Sequence, residues 1–153
     1  MRKKYNLLFI MIVVFFCCGC QKESGTIICT SKQQPTADVS LTSEYRITYK
    51  NKYVTKLKTT EKITTASQED LKSYQERLQS VYDLYGDIEY YSNNISIEDK
   101  TLISSTIINY EKVDTDKLIE VDKNNESLIK NGKVKAEDVK KMYEANGCNC
   151  KQK

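Results

Sequence analysis

Residues 26–153 predict an α+β domain: an antiparallel sheet in the order strand, hairpin, helix, hairpin, helix, with the helices on one face. Three observations predict it. Apolar residues alternate with polar ones from Val39 to Ile63, two later segments carry helix periodicity with start and stop signals, and no repeat or linker divides the chain.

The elements follow in order. The stretch GTIICT (25–30) reads as a short strand. From residue 39 the apolar or aromatic positions are odd: Val39, Leu41, Tyr45, Ile47 and Tyr49, then Tyr53, Leu57 and Ile63. That spacing marks two half-buried strands. Parity chooses their turn. A two-residue turn at Asn51-Lys52 would set odd positions against even ones. A three-residue loop, Lys50 to Lys52, pairs Tyr49 with Tyr53 and Tyr45 with Leu57 and keeps one face apolar, so the three-residue loop is expected.

The segment 67–86 predicts a helix. Ser67 is a good N-cap, Glu69 and Asp70 suit the positive end of the helix dipole, and Gly86 ends the segment. Leu71, Tyr74, Leu78, Val81, Leu84 and Tyr85 recur at spacings of three and four and form the expected buried stripe. A second hairpin follows over roughly 88–97 and 102–110, turning at EDKT. The next stretch is irregular with short helical pieces. Residues 135–147 predict a last helix with Val139, Met142 and Tyr143 facing inward, and the tail with Cys148 and Cys150 runs back toward Cys29.

Ahead of this domain, Met1-Arg2-Lys3-Lys4 precedes an unbroken apolar run from Leu7 to Cys18, 12 residues long. A bilayer-spanning helix needs about 20, whereas a signal-peptide core takes roughly 7–15. The Gly19-Cys20 step, followed by polar Gln21, Lys22 and Glu23, resembles the bacterial lipobox. The resemblance implies that residues 1–19 are a lipoprotein signal peptide, that Cys20 is lipidated, and that 20–25 form a short tether. Cys17 and Cys18 depart from the usual residues before the cleavage point. Only Gln21 to Gly25 would separate the anchor from the first strand, at most about 17 Å. The expected location is the extracytoplasmic face of the cell membrane.

Removing residues 1–19 takes Arg2, Lys3 and Lys4 from the 24 basic residues, leaving 21 against 21 acidic ones. The resulting neutral chain gives a nucleic-acid role no support. Histidine is absent, which removes the commonest general base and metal ligand and any Ser-His or Cys-His pair. No catalytic residue, metal site or cofactor is therefore predicted. Asp114/Asp116, Glu98/Asp99 and Glu137/Asp138 read as cap and turn chemistry, since the calcium-loop pattern with its glycine is missing.

With Cys20 acylated, Cys29, Cys148 and Cys150 remain, so an exported chain is expected to hold one bridge and one spare thiol. A bridge from Cys29 to either of the other two would tie the domain's ends together. Cys148-Asn149-Cys150 lacks the thioredoxin-type spacing, so a thiol-based redox role ranks below a binding or structural one and is the least poor form an enzyme could take here.

The signal ending in Cys20, the hairpin YRITYKNKYVTKLKT, the helix closing on YG, and the later stretches STIINYEKVDTDKL and VKAEDVKKMYEANG resemble the YehR-like family of small bacterial lipoproteins. The likeness covers most of residues 26–150. It implies an α+β fold and no activity. By position it implies a Cys29–Cys150 disulfide, with Cys148 as the departure and the alternative partner.

The sharpest candidate site is the hairpin's even-numbered face. Arg46, Lys50, Lys52, Lys56, Lys58 and Lys62 are opposed between 44 and 62 by Glu44 and Glu61 alone. Two readings of that face stand: a contact for anionic lipid or cell-wall polymer beside the membrane anchor, or a solvated face whose lysines discourage sheet-edge pairing. The expected function is a non-enzymatic binding or structural module of the cell envelope. The runner-up is a small-ligand or peptide-binding accessory of an envelope complex.

Overall fold

The structure is a computed structural model that describes residues 24–153; the expected signal peptide, residues 1–19, and Cys20 lie outside the described residues. Six antiparallel strands form one sheet: β1 (Ser24–Thr36), β2 (Val39–Lys50), β3 (Tyr53–Thr65), β4 (Tyr91–Glu98), β5 (Thr101–Asn109) and β8 (Asn149–Gln152). Their order is β4-β5-β3-β2-β1-β8. Helix α1 (Gln68–Asp83) joins β3 to β4, and α2 (Thr115–Val121) follows β5. A 3-10 turn (Lys123–Ser127) leads to a two-stranded ribbon, β6 (Ile129–Lys130) with β7 (Lys133–Val134), and then to α3 (Ala136–Ala145). The α+β class and the hairpin–helix–hairpin–helix order are as expected, with α2, the ribbon and β8 added.

β1 runs well past residue 30. Its outer half, Ser31 to Thr36, is polar on both faces because no helix covers that end, so the sequence carries no alternation there. Ladder bonds to β2 hold it instead, through Gln33 opposite Leu41 and Thr36 opposite Val39. The register slips between those two pairs, and the slip holds Pro35, which has no N–H to give a ladder.

The β2–β3 turn corrects the expected loop. Asn51 and Lys52 form a two-residue turn, both with positive φ (52° and 71°), as the hairpin-favoured type I′ turn requires. Lys50 pairs with Tyr53 and Tyr49 with Val54. A bulge then inserts one residue into β3, so that Thr48 faces Lys56, Ile47 faces Leu57 and Tyr45 faces Thr59. The bulge restores the odd-with-odd pairing that keeps one face apolar. Ahead of it the faces are exchanged. Val54 is buried at 4% exposure, whereas Tyr53, expected inside, points outward at 37%.

The covered face carries Ile27, Cys29, Tyr45, Ile47, Leu57, Leu102, Ser104 and Thr106, as the registers of β1, β2, β3 and β5 require. Both long helices pack here. Tyr143 of α3 stacks on Tyr45, with ring centroids 3.9 Å apart, and Tyr82 of α1 hydrogen-bonds Ser104 and Thr106. Val134, Ala136, Val139 and Leu118 complete the core against Ile47 and Leu57.

Helix α1 starts as expected, with Ser67 Oγ accepting the Asp70 N–H at 3.1 Å. Its expected stripe holds at Leu71, with Tyr74, Leu78 and Tyr85 half-buried, and departs near the C-terminal end. Leu71 and Tyr82 are buried, but Val81 and Leu84 are 50% and 64% exposed. The sheet beneath offers hydroxyls, and a phenol reaches them where a valine would leave Ser104 and Thr106 unpartnered.

Candidate functional site

The opposite face of the sheet has no helix on it among the described residues. Cross-strand register places on it Thr26, Ile28, Thr30 and Lys32 of β1, with Thr42, Glu44, Arg46, Thr48 and Lys50 of β2. β3 adds Lys56, Lys58, Thr60 and Lys62, and β5 adds Ile103, Ser105 and Ile107. Charge concentrates on its central strands. Arg46 lies directly opposite Lys58, and like charges in that position repel. Arg46 turns to Glu44 instead, Nη2 to Oε1 at 3.0 Å. Both groups of that pair are roughly half exposed, so it adds little stability.

Five of the six cations read from the sequence therefore share this face: Arg46, Lys50, Lys56, Lys58 and Lys62. Lys52 does not. It sits in the turn, where its carbonyl accepts the Ala136 N–H at 2.9 Å and its side chain borders the start of α3. Two cations that sequence reasoning missed join the face. Lys32 belongs to the even-numbered register of β1 and was legible by parity once that strand is extended. Lys151 lies opposite Ile28 only because β8 pairs with β1, and no local signal announces it. Near the sheet's far end a shallow depression of about 650 Å³ of mixed charge opens among Thr42, Lys62, Glu98, Asp99, Lys100 and Thr101.

The cysteines lie on the covered face. Pairing of β1 with β8 sets Cys29 opposite Cys150, with sulfurs 1.97 Å apart, at disulfide distance. Cys148 precedes β8 and stays a separate, half-buried thiol whose N–H donates to the Tyr143 carbonyl at 3.0 Å.

Paired carboxylates serve as caps and turns. Asp114 accepts the Asp116 and Lys117 N–H groups at the head of α2, Glu137 and Asp138 sit in the first turn of α3, and Glu98 and Asp99 close the β4–β5 hairpin. Among the described residues no three Cys, Asp or Glu side chains converge as a metal site.

The tyrosines pack between sheet and helices. Tyr85 stacks on Tyr91 with centroids 4.7 Å apart, and Tyr45 donates to Glu61 at 2.9 Å. Burial pushes the phenols of Tyr45, Tyr91 and Tyr110 up to about 12, and raises that of Tyr143 as well. These groups stay protonated through any physiological pH and pack between sheet and helices.

Fold and site together define a class: a single-sheet α+β domain roofed on one side and open and cationic on the other. Solved structures similar to it include an NMR structure of a protein from Streptococcus pneumoniae TIGR4, 18% identical, with TM-score 0.51 over 99% of this chain and 98% of that one. They also include the NMR structure of the E. coli YehR protein, 18% identical, with TM-score 0.53 over 86% of this chain and 92% of that one. At that identity the likeness shows the fold alone. No family model matches the chain, and no curated protein matches it.

Proposed function

We propose that the chain is a lipid-anchored, extracytoplasmic module of the YehR-like kind. It is held by Cys20, works without catalysis, and its open sheet face binds a phosphate-rich anionic surface of the envelope. The observation that carries the reading is that face itself. Lys32, Arg46, Lys50, Lys56, Lys58, Lys62 and Lys151 share it with Glu44, although residues 20–153 as a whole balance at 21 basic against 21 acidic residues. The lipobox-like Gly19-Cys20 step supports the anchor, and the YehR fold likeness supports the kinship. Bilayer headgroups and anionic wall polymers offer the same phosphate chemistry to such a face.

Two measurements test this. Metabolic labelling with a palmitate analogue should mark the wild-type chain and not Cys20→Ser. Reversing Arg46, Lys56, Lys58 and Lys62 to glutamate should abolish binding to phosphatidylglycerol vesicles, to soluble polyphosphate, or to both, and the two arms separate lipid from polymer. Binding unchanged at low salt in both arms would remove the face from the proposal.

A further inference from the structure

One end of the sheet gathers five lysines. β1 enters at Ser24, four residues after Cys20 and opposite Lys50. Those four residues reach at most roughly 14 Å, so whatever end of the sheet holds Ser24 is the end nearest an anchor at Cys20. Around it lie Lys50 and Lys52 on the β2–β3 turn and Lys133 and Lys135 beside the β6–β7 ribbon. Lys153 joins them through its N–H, which donates to the Thr26 carbonyl at 2.9 Å. Among the described residues none of these five lysines is within ion-pair distance of a carboxylate. The opposite end carries Asp38, Glu69, Asp70, Glu98 and Asp99, with Lys100 among them. A strand of a dozen residues holds the two groups about 40 Å apart.

Two clefts open on the basic end. One, of about 400 Å³, has Ile27 and Tyr49 in its wall and Lys52 and Lys135 at its edge, with Glu137 as its acid. The other, of about 570 Å³, is bordered by Lys50 and Lys133, with Glu111 as its acid. Tyr53 lines both. The bulge that buries Val54 turns the Tyr53 ring outward, and Lys133 Nζ stands 5.1 Å from the ring centroid. An exposed tyrosine flanked by lysines is the side-chain set that settles at a bilayer's headgroup level.

We infer that this end of the sheet docks on the anionic leaflet that holds the anchor, with Tyr53 among the headgroups and lipid phosphates in the two lysine-edged clefts. The inference rests on the proposed lipid anchor. Docked this way, the sheet stands on end, and its open cationic face looks along the membrane, free for a wall polymer.

The chain has no tryptophan, so single reporters can be placed at will. The acylated chain carrying Tyr53→Trp is reconstituted in vesicles of phosphatidylcholine with and without phosphatidylglycerol, and quenching by headgroup-level spin-labelled lipid is read. Thr60→Trp on the open face and Ala37→Trp at the far end are the comparisons. Docking predicts strong quenching of Tyr53→Trp alone, and only with phosphatidylglycerol. Each lysine near such a surface is worth about fivefold in the docking constant. Adding Lys52→Gln, Lys133→Gln and Lys135→Gln should therefore weaken docking about 100-fold and abolish the quenching.

Quenching of Thr60→Trp in place of Tyr53→Trp means the sheet lies flat, and overturns the inference. So does an acylated, vesicle-bound chain whose Tyr53→Trp stays unquenched. A Tyr53→Trp emission shift produced by polyphosphate without vesicles would make the occupant a free polyanion and overturn it likewise. Mass analysis of the Cys20 peptide reads the anchor separately, so loss of the acyl chain is distinguishable from failure to dock.

Discussion

Replacing Cys150 by serine tests how the two ends of the chain are held. Cys29 and Cys150 stand 121 residues apart in sequence and face each other across β1 and β8. Closing a loop of that length removes about 5 kcal/mol of chain entropy from the unfolded state in the loop-closure account. A domain of this size has a total stability of about 5–15 kcal/mol. Near the unfolding midpoint each kcal/mol corresponds to roughly 3–4 °C, so Cys150→Ser should lower Tm by about 15–20 °C. Cys150 is the position to change because Cys29 is fully buried, and a serine hydroxyl there would add its own desolvation cost. The assay is thermal and urea unfolding by circular dichroism of oxidised wild type, reduced wild type and Cys150→Ser. Reduction and substitution should agree within about 1 kcal/mol, and Cys148→Ser should leave Tm within about 2 °C. A Tm loss under about 5 °C would refute the loop-closure reasoning, and a large loss in Cys148→Ser would move the bridge to that cysteine.

Three further outcomes follow from the packing. Val54→Asp should cost more than about 3 kcal/mol by burying an unpaired charge, while Tyr53→Asp should cost under about 1; equal costs in urea unfolding would contradict the bulge. Tyr82→Phe should cost about 1–3 kcal/mol, because buried Ser104 loses its phenol partner; the same melts read it. Alkaline stability should be bounded by tyrosine. Burial lifts Tyr45, Tyr91 and Tyr110 from the ordinary 10 to about 12 in the folded chain. Their contribution is complete below pH 10 and is lost as pH rises from 10 through 12. Absorbance at 295 nm should show these phenols ionising together with loss of the circular dichroism signal. Early ionisation of every tyrosine in a chain still folded would disprove their burial.

What could be read without a structure was whatever the chain writes locally. The period of two in β2 and β3, the Ser67 cap, and the even-numbered cations are set by neighbours within a few residues, where sterics and hydrogen bonding leave few choices. The parity argument reached the right faces through the wrong turn. It assumed an uninterrupted ladder, whereas a type I′ turn plus a bulge at Thr55 yields the same parity and exchanges only Tyr53 with Val54. The stripe of α1 was legible at Leu71, Tyr74, Leu78 and Tyr85 but not at its end, where the hydroxyls of Ser104 and Thr106 draw Tyr82 inward in place of Val81.

The sequence by itself determined the α+β class, the amphipathic segments and the cationic face of one hairpin, since each depends on spacing along one stretch of chain. Tertiary structure alone decided that β8 closes the sheet beside β1 and that Lys151 joins the open face, and it placed Cys150 opposite Cys29, the pairing that the family resemblance implied. It also decided that Lys52, Lys133 and Lys135 gather around Tyr53 at the end where β1 begins. The pairings of β8 with β1 and of Lys133 and Lys135 with Tyr53 link residues 80 or more positions apart, and which of them form depends on how the whole sheet buries its apolar face, a quantity no local window contains.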